Sequence, residues 1–182
     1  MTQDPVFFFR DQPVIETERL RIREIRPDDA EAMFAMDSDP EVHRYLGDGP
    51  AGSIDEITGA IEYIHSQYES VGIGRWAAAD RETDAFIGWT GFKWIDEPLG
   101  GHVDFLDLGY RFLRSHWGRG YASETAAACV EFAAGVPEMQ GAPVCGMVII
   151  GNVASERVLQ KVGMRHTDDF EYVGRPVRFY EL

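Results

Sequence analysis

Two glycines one residue apart, Gly118 and Gly120 in the stretch WGRGYASE, separate a run of strand pattern from a run of helix pattern and constrain the fold more than any other feature of the chain. Glycine costs backbone entropy and lowers helix propensity, so a pair at a helix start marks a place where the backbone turns tightly or is approached closely. A tight turn is the plain reading. The other is an anion cradle, because the first turn of a helix offers unpaired N–H groups and a partial positive charge. The eight residues alone leave both open.

The flanking elements narrow the choice. TERLRIREI, residues 17–25, alternates Leu20 and Ile22 with Arg19, Arg21 and Arg23, the period of a half-buried strand. RPDDAEAMF follows with Pro27 in a first turn and Ala30, Met33 and Phe34 on one helical face. A short helix begins after Asp39-Pro40, and Ser53 and Glu56 have capping-box spacing ahead of Ile54, Ile57, Ile61, Ile64 and Tyr68 at helical intervals. From Gly74 the pattern becomes a meander of strands: RWAAA, AFIGWTGFKWI and VDFLDLGYRF. The glycine stretch then opens a helix over 121–134, and PVCGMVII reads as a strand covered on both faces. SERVLQKVG is a second helix stopped by Gly163, and strands around RHTDDFEYV and PVRFYEL close the chain. The pattern predicts a mixed α/β (α+β) class in one domain over 1–182, with an N-terminal extension at 1–16 and a core at 17–182.

Composition excludes several functions. With 45% hydrophobic and 12% aromatic residues the chain can bury a core, so disorder is not expected. No apolar run approaches the roughly 18 residues of a membrane span, and MTQDPVFFFRDQ lacks the pattern of a signal peptide, so a cytoplasmic protein without membrane partners is expected. A formal charge of −14 argues against nucleic-acid binding. Lys93 and Lys161 are the only lysines among 17 basic residues, a skew with no functional reason visible in the sequence. Cys129 and Cys145 lie in apolar runs and read as buried thiols, and the five histidines have no ligand spacing, so no metal is expected.

The order strand, glycine turn, helix, buried strand, then Asn152-x-x-Ser155 opening a helix resembles the GCN5-related N-acetyltransferases, in particular the RimJ/RimL-like branch that acetylates ribosomal-protein N-termini. The resemblance runs from Thr17 to the C-terminus. It implies a mostly antiparallel central sheet of about seven strands flanked by about four helices, splayed between the fourth and fifth strands of that fold. It further implies acetyl-CoA as co-substrate, an amine acceptor and a homodimer. By the same resemblance Trp117, Gly118, Arg119, Gly120, Tyr121, Ala122 and Ser123 form the pyrophosphate loop. Gly120 and Ala122 match its pattern, and Trp117 stands where Gln or Arg is usual. Trp117 is expected to pack under the loop; Arg119 either contacts phosphate or is solvated. Phe112, Leu113 and Arg114 match the strand end that pairs with the pantetheine arm. Asn152 and Ser155 match the signature beside the thioester, and an N-cap cluster is the other reading of the pair.

Acyl transfer to an amine requires a deprotonated nucleophile held near the thioester. Asp107, in DLGY, matches the strand end where relatives often carry a glutamate, and is the expected base, acting through water because it is one methylene shorter; Asp104 and Glu124 are its rivals. The tyrosine that many members use to protonate the leaving thiolate is replaced by Leu159, which makes Ser155 the remaining donor, unless the thiolate leaves unassisted. Acceptor walls are expected at 36–53 and 94–102. Candidate acceptors are a protein or peptide N-terminus, an aminoglycoside, a polyamine or a small amino compound, and a non-catalytic acyl-CoA sensor of the same fold is the alternative to an enzyme.

Overall fold

In the computed structural model, residues 8–46 and 49–182 are described; residues 1–7 of the expected N-terminal extension and 47–48 of the expected acceptor wall lie outside the described residues. The sheet strands are β1 (Ile15–Glu16), β2 (Leu20–Arg23), β3 (Arg75–Asp80), β4 (Phe86–Ile95), β5 (Phe105–Phe112), β6 (Val144–Ile149), β7 (Arg165–Tyr172) and β8 (Arg175–Glu181). The α-helices are α1 (Ala30–Asp37), α2 (Pro40–His43), α3 (Ile54–Ser70), α4 (Tyr121–Gly135) and α5 (Val153–Lys161). The sheet runs β1-β2-β3-β4-β5-β6-β8-β7, antiparallel except for the β5–β6 pair. This is the mixed, mostly antiparallel architecture expected, with one strand more than expected because two-residue β1 is too short to leave a period in the sequence.

Helix positions follow from local chemistry. Ser53 Oγ accepts the Glu56 amide (3.3 Å) at the start of α3, whose buried face is Ile57, Ile61, Ile64 and Tyr68. The Glu56 carboxylate reaches back to the amide of Gly52, not of Ser53, a displaced form of the expected box. Small residues bring α4 against the sheet: Ala126, Cys129 and Ala133 are buried, and Cys129 Sγ lies 3.9 Å from Thr90 Oγ1 of β4.

One strand departs from its expected alternation. Arg23 is 3% exposed instead of solvated. Its guanidinium holds both oxygens of buried Asp29, at 2.8 and 2.9 Å, and Nε meets Asp84 Oδ1 at 3.2 Å. Asp29 also takes the Arg26 amide (2.8 Å), so one carboxylate turns the chain from β2 into α1. Removing one partner of such a pair strands a buried charge. We therefore expect Asp29→Ala to cost about 3–5 kcal/mol in urea unfolding, and Arg23→Met combined with Asp29→Leu to recover most of it; equal losses in single and double variants would show the pair to be incidental.

Candidate active site

The two parallel strands of the sheet pair only at Leu106↔Val144 and Asp107↔Cys145. β5 nevertheless runs five residues further, paired with β4 as far as Gly88↔Phe112. The strands thus part beyond Asp107, which is the splay expected between the fold's fourth and fifth strands, here β5 and β6. Leu113 N–H donates to Ile87 O (3.0 Å) inside the sheet. By the alternation of antiparallel pairing, the backbone groups of Phe112 and Tyr110 face the other way, into the split.

This sorts the expected pantetheine-pairing residues. Phe112 presents its backbone to the split, but its carbonyl already accepts the Trp117 indole N–H (2.8 Å). The amide of Leu113 is engaged, and Arg114 starts a 3-10 turn and forms an ion pair with Asp39 (2.9 Å). These residues, with Ala35 and Ser115, line a depression of about 430 Å³ at the open end of the split. Trp117 does not pack beneath the loop: it is 48% exposed, its indole fixed by the hydrogen bond to the strand end.

The glycine turn has the form a cradle needs. Gly118 and Gly120 have φ of +73° and +84°, a region open to glycine at little cost. A Cβ on Gly118 would meet no atom within 4 Å, and one on Gly120 only Arg19 Nη2, at 3.6 Å. The turn is therefore open on its outer side. Among the described residues none of the amides from Gly118 to Ser123 has a backbone acceptor, and Gly120 is the N-cap of α4. Arg119 lies between the two glycines, and Tyr121, Ala122 and Ser123 begin the first turn of α4.

Asp107 sits at the apex of the split, with 12% of its side chain exposed and Oδ2 held by Arg75 of β3. Arg75 extends across the sheet, donating also to the carbonyls of Gly91 and Asp107, and stacks 5.3 Å from the Trp89 ring centroid. A Cβ on Gly109 would meet the Arg75 guanidinium carbon at 2.7 Å, so the glycine of DLGY makes room for this arginine. Of the rival carboxylates, Asp104 is in the exposed loop ahead of β5, on the closed side of the pairing. Glu124 is fully engaged: Oε1 accepts Thr17 Oγ1 (2.6 Å) and Oε2 accepts Arg19 Nε (2.7 Å). Burial raises the Glu124 pKa, but the bonds from Thr17 and Arg19 outweigh it and hold the carboxyl below its ordinary range.

At the start of α5, Asn152 is the N-cap, its Oδ1 accepting the Ser155 amide (3.2 Å). Ser155 Oγ has a different partner: Tyr110 Oη lies 3.0 Å from both the Ser155 hydroxyl and the Ser155 carbonyl. Sequence reasoning passed over Tyr110, although strand alternation puts it on the face of Leu108 and Phe112. Burial pushes its phenol well above the ordinary value. Leu159 is buried against Gly146 and offers no proton. Both cysteines are buried, and burial pushes their thiols up to about 12, away from the thiolate form. A further contact escaped the sequence: Asp37, at the end of α1, accepts Arg111 Nη1 (2.7 Å), with His43 Nε2 3.8 Å away, and the Arg111 pairing ties α1 to β5. The expected wall at 94–102 packs on β7 and β8, with His102 stacked 3.9 Å from Phe179. Among the described residues no cluster of metal-ligating side chains occurs and no helix is long and apolar enough to cross a membrane.

Comparison with known proteins agrees with this geometry. Residues 19–165 match the family model of the acetyltransferase (GNAT) domain. The uncharacterized N-acetyltransferase YoaA of Bacillus subtilis is 33% identical over 153 residues, 84% of this chain and 83% of its own. The fold is shared with a GNAT-family acetyltransferase from Bacillus anthracis (TM-score 0.75, 23% identity, 93% and 98% of the two chains). It is shared too with RimL, a ribosomal L7/L12 alpha-N-protein acetyltransferase solved in complex with coenzyme A (TM-score 0.77, 18% identity, 93% and 97%).

The open turn carries a direct expectation. Gly120→Val places a branched side chain at positive φ and fills the outer face of the turn. Coenzyme A affinity measured by calorimetry should fall at least about tenfold, with the fold retained by circular dichroism; unchanged affinity in the folded variant would locate phosphate binding elsewhere.

Proposed function

The chain is an acetyltransferase that belongs to the GNAT family, and we propose that it moves an acetyl group from acetyl-CoA to a primary amine by direct attack within one ternary complex. The observation that carries this reading is the split itself: pairing that stops at Asp107↔Cys145 leaves an unpaired strand edge leading from a buried carboxylate to a glycine turn with free amides. A thioester arm laid along that edge would extend the sheet by one strand, using the backbone of Tyr110 and the Phe112 amide. Its diphosphate would lie on the amides of residues 118–123. The Arg119 side chain adds charge at that turn.

In this reading Asp107 takes the ammonium proton through a bridging water while Arg75 holds its Oδ2. Attack of the free amine on the thioester carbonyl forms the C–N bond, and collapse expels the thiolate. Ser155 gives the thiolate its proton, re-aiming a hydroxyl that otherwise rests on Tyr110, and recovers one from the nitrogen, which sheds its second proton as the amide forms; Asn152 fixes the helix turn that presents the serine. The acceptor we favour is a protein or peptide N-terminus, supported by the fold shared with RimL; a small amine such as a polyamine or aminoglycoside is the second choice.

Thiol release from acetyl-CoA with peptide and small-amine panels, read beside the acceptor mass shift, tests the proposal: turnover with one class is expected, and tight coenzyme A binding with no release would make the chain a sensor. The carboxylate is tested by the pH profile of kcat/KM for Asp107→Asn. The deficit should be largest at low pH, where the amine is protonated, and shrink toward the amine's own pKa; profiles parallel to wild type would remove Asp107 as base. Ser155→Ala should lower kcat about tenfold or more with little change in coenzyme A affinity, since proton donation matters in the transition state. Asn152→Ala should instead cost about 1 kcal/mol of stability, seen in melting temperature. A Ser155→Ala enzyme with full turnover would exclude the hydroxyl as donor.

A further inference from the structure

The glycine turn is held from outside by a residue a hundred positions away. Arg19, just ahead of β2, donates from Nη1 to the Arg119 carbonyl (3.0 Å) and from Nε and Nη2 to Glu124 Oε2 (2.7 and 2.5 Å). The guanidinium also lies 4.4 Å from the centroid of the Tyr121 ring. From the same segment, Thr17 Oγ1 and the Arg19 amide (3.1 Å) donate to Glu124 Oε1. The Glu124 amide in turn bonds the Gly120 carbonyl (3.0 Å). The bracket thus touches residues 119, 121 and 124, on both sides of Gly120.

Its geometry bears on the amides. In a planar trans peptide the carbonyl and the following N–H point in opposite directions. Fixing the Arg119 carbonyl toward Arg19 therefore aims the Gly120 N–H away from it, and among the described residues that amide meets no backbone acceptor. The charge balance matters equally. A carboxylate in the first turn of α4 suits the helix dipole but opposes an incoming phosphate, and Arg19 sets a positive charge directly against it.

We infer that Arg19 is a positioning residue for phosphate recognition: acting through the Arg119 carbonyl and Glu124, it holds the turn at 118–120 in the shape that receives a diphosphate. The inference rests on the reading of that turn as the cofactor cradle. The competing role is a staple that joins β2 to α4 and stabilises the fold without affecting ligand preference.

The two roles separate when affinity for coenzyme A is compared with affinity for phosphate-free pantetheine, both by calorimetry, in wild type, Arg19→Met and Arg19→Lys. We expect wild type to prefer coenzyme A strongly. In Arg19→Met coenzyme A affinity should fall about tenfold while pantetheine affinity stays within about twofold, and Arg19→Lys should lose at least about threefold of the preference. Lysine keeps a charge opposite Glu124 but cannot hold two acceptors in one plane. A preference equal to wild type in folded Arg19→Met would overturn the inference and leave a staple. Should Arg19→Met fail to fold, an unchanged preference in Arg19→Lys has the same force. Wild type with no preference for coenzyme A over pantetheine would instead bring down the cradle, and the inference with it.

Discussion

A sheet that stops pairing in its middle must find other partners for its backbone, and the rest of this molecule is arranged around that need. Beyond Asp107 the amides and carbonyls of Tyr110 and Phe112 have no strand opposite them. Unpaired backbone groups in a buried setting are costly, so the split is tolerable only where water, a side chain or a ligand can enter. One carbonyl is covered by the Trp117 indole, and the Tyr110 phenol bridges the gap to the start of α5. Leu159, packed on Gly146, keeps that helix against β6. The remaining edge stays open to a ligand of extended shape.

The arginine skew finds its physical reason in these surroundings. Several guanidiniums meet a carboxylate and a backbone carbonyl at once. Arg23 reaches Asp29 and the Glu24 carbonyl, and Arg75 reaches Asp107 and the Gly91 carbonyl. Arg19 does the same for Glu124 and the Arg119 carbonyl. A planar fork can hold two acceptors in a fixed geometry where an ammonium offers a point charge. In a chain with 31 acidic residues, this converts scattered carboxylates into ties between strand, helix and loop. Arg19, Arg23 and Arg75 thus do structural work that lysine could not copy.

What was legible in the sequence was what periodicity writes. The meander of β3 to β5, the faces of α3 and α4, and the glycine turn all show as local spacing, and each element stands within a few residues of its expected place. The motif residues of the turn and of the α5 start were legible by likeness to a family. The position of the split came from that likeness alone, because it is the absence of a pairing and leaves no period. Arg23 violated its alternation because a partner six residues on, Asp29, drew it inward. Tyr110, Asp37 and the Arg19 bracket were invisible for a common reason: each depends on a contact between segments that are distant in the chain, and neither segment alone signals the other.

The passage of Arg75 across the sheet links two positions by packing. Its guanidinium occupies the space in which a side chain at position 109 would begin. A Cβ there would displace the flexible end of Arg75, and that same end holds Asp107 Oδ2. The missing side chain at 109 and the held carboxylate at 107 are thus two sides of one packing choice.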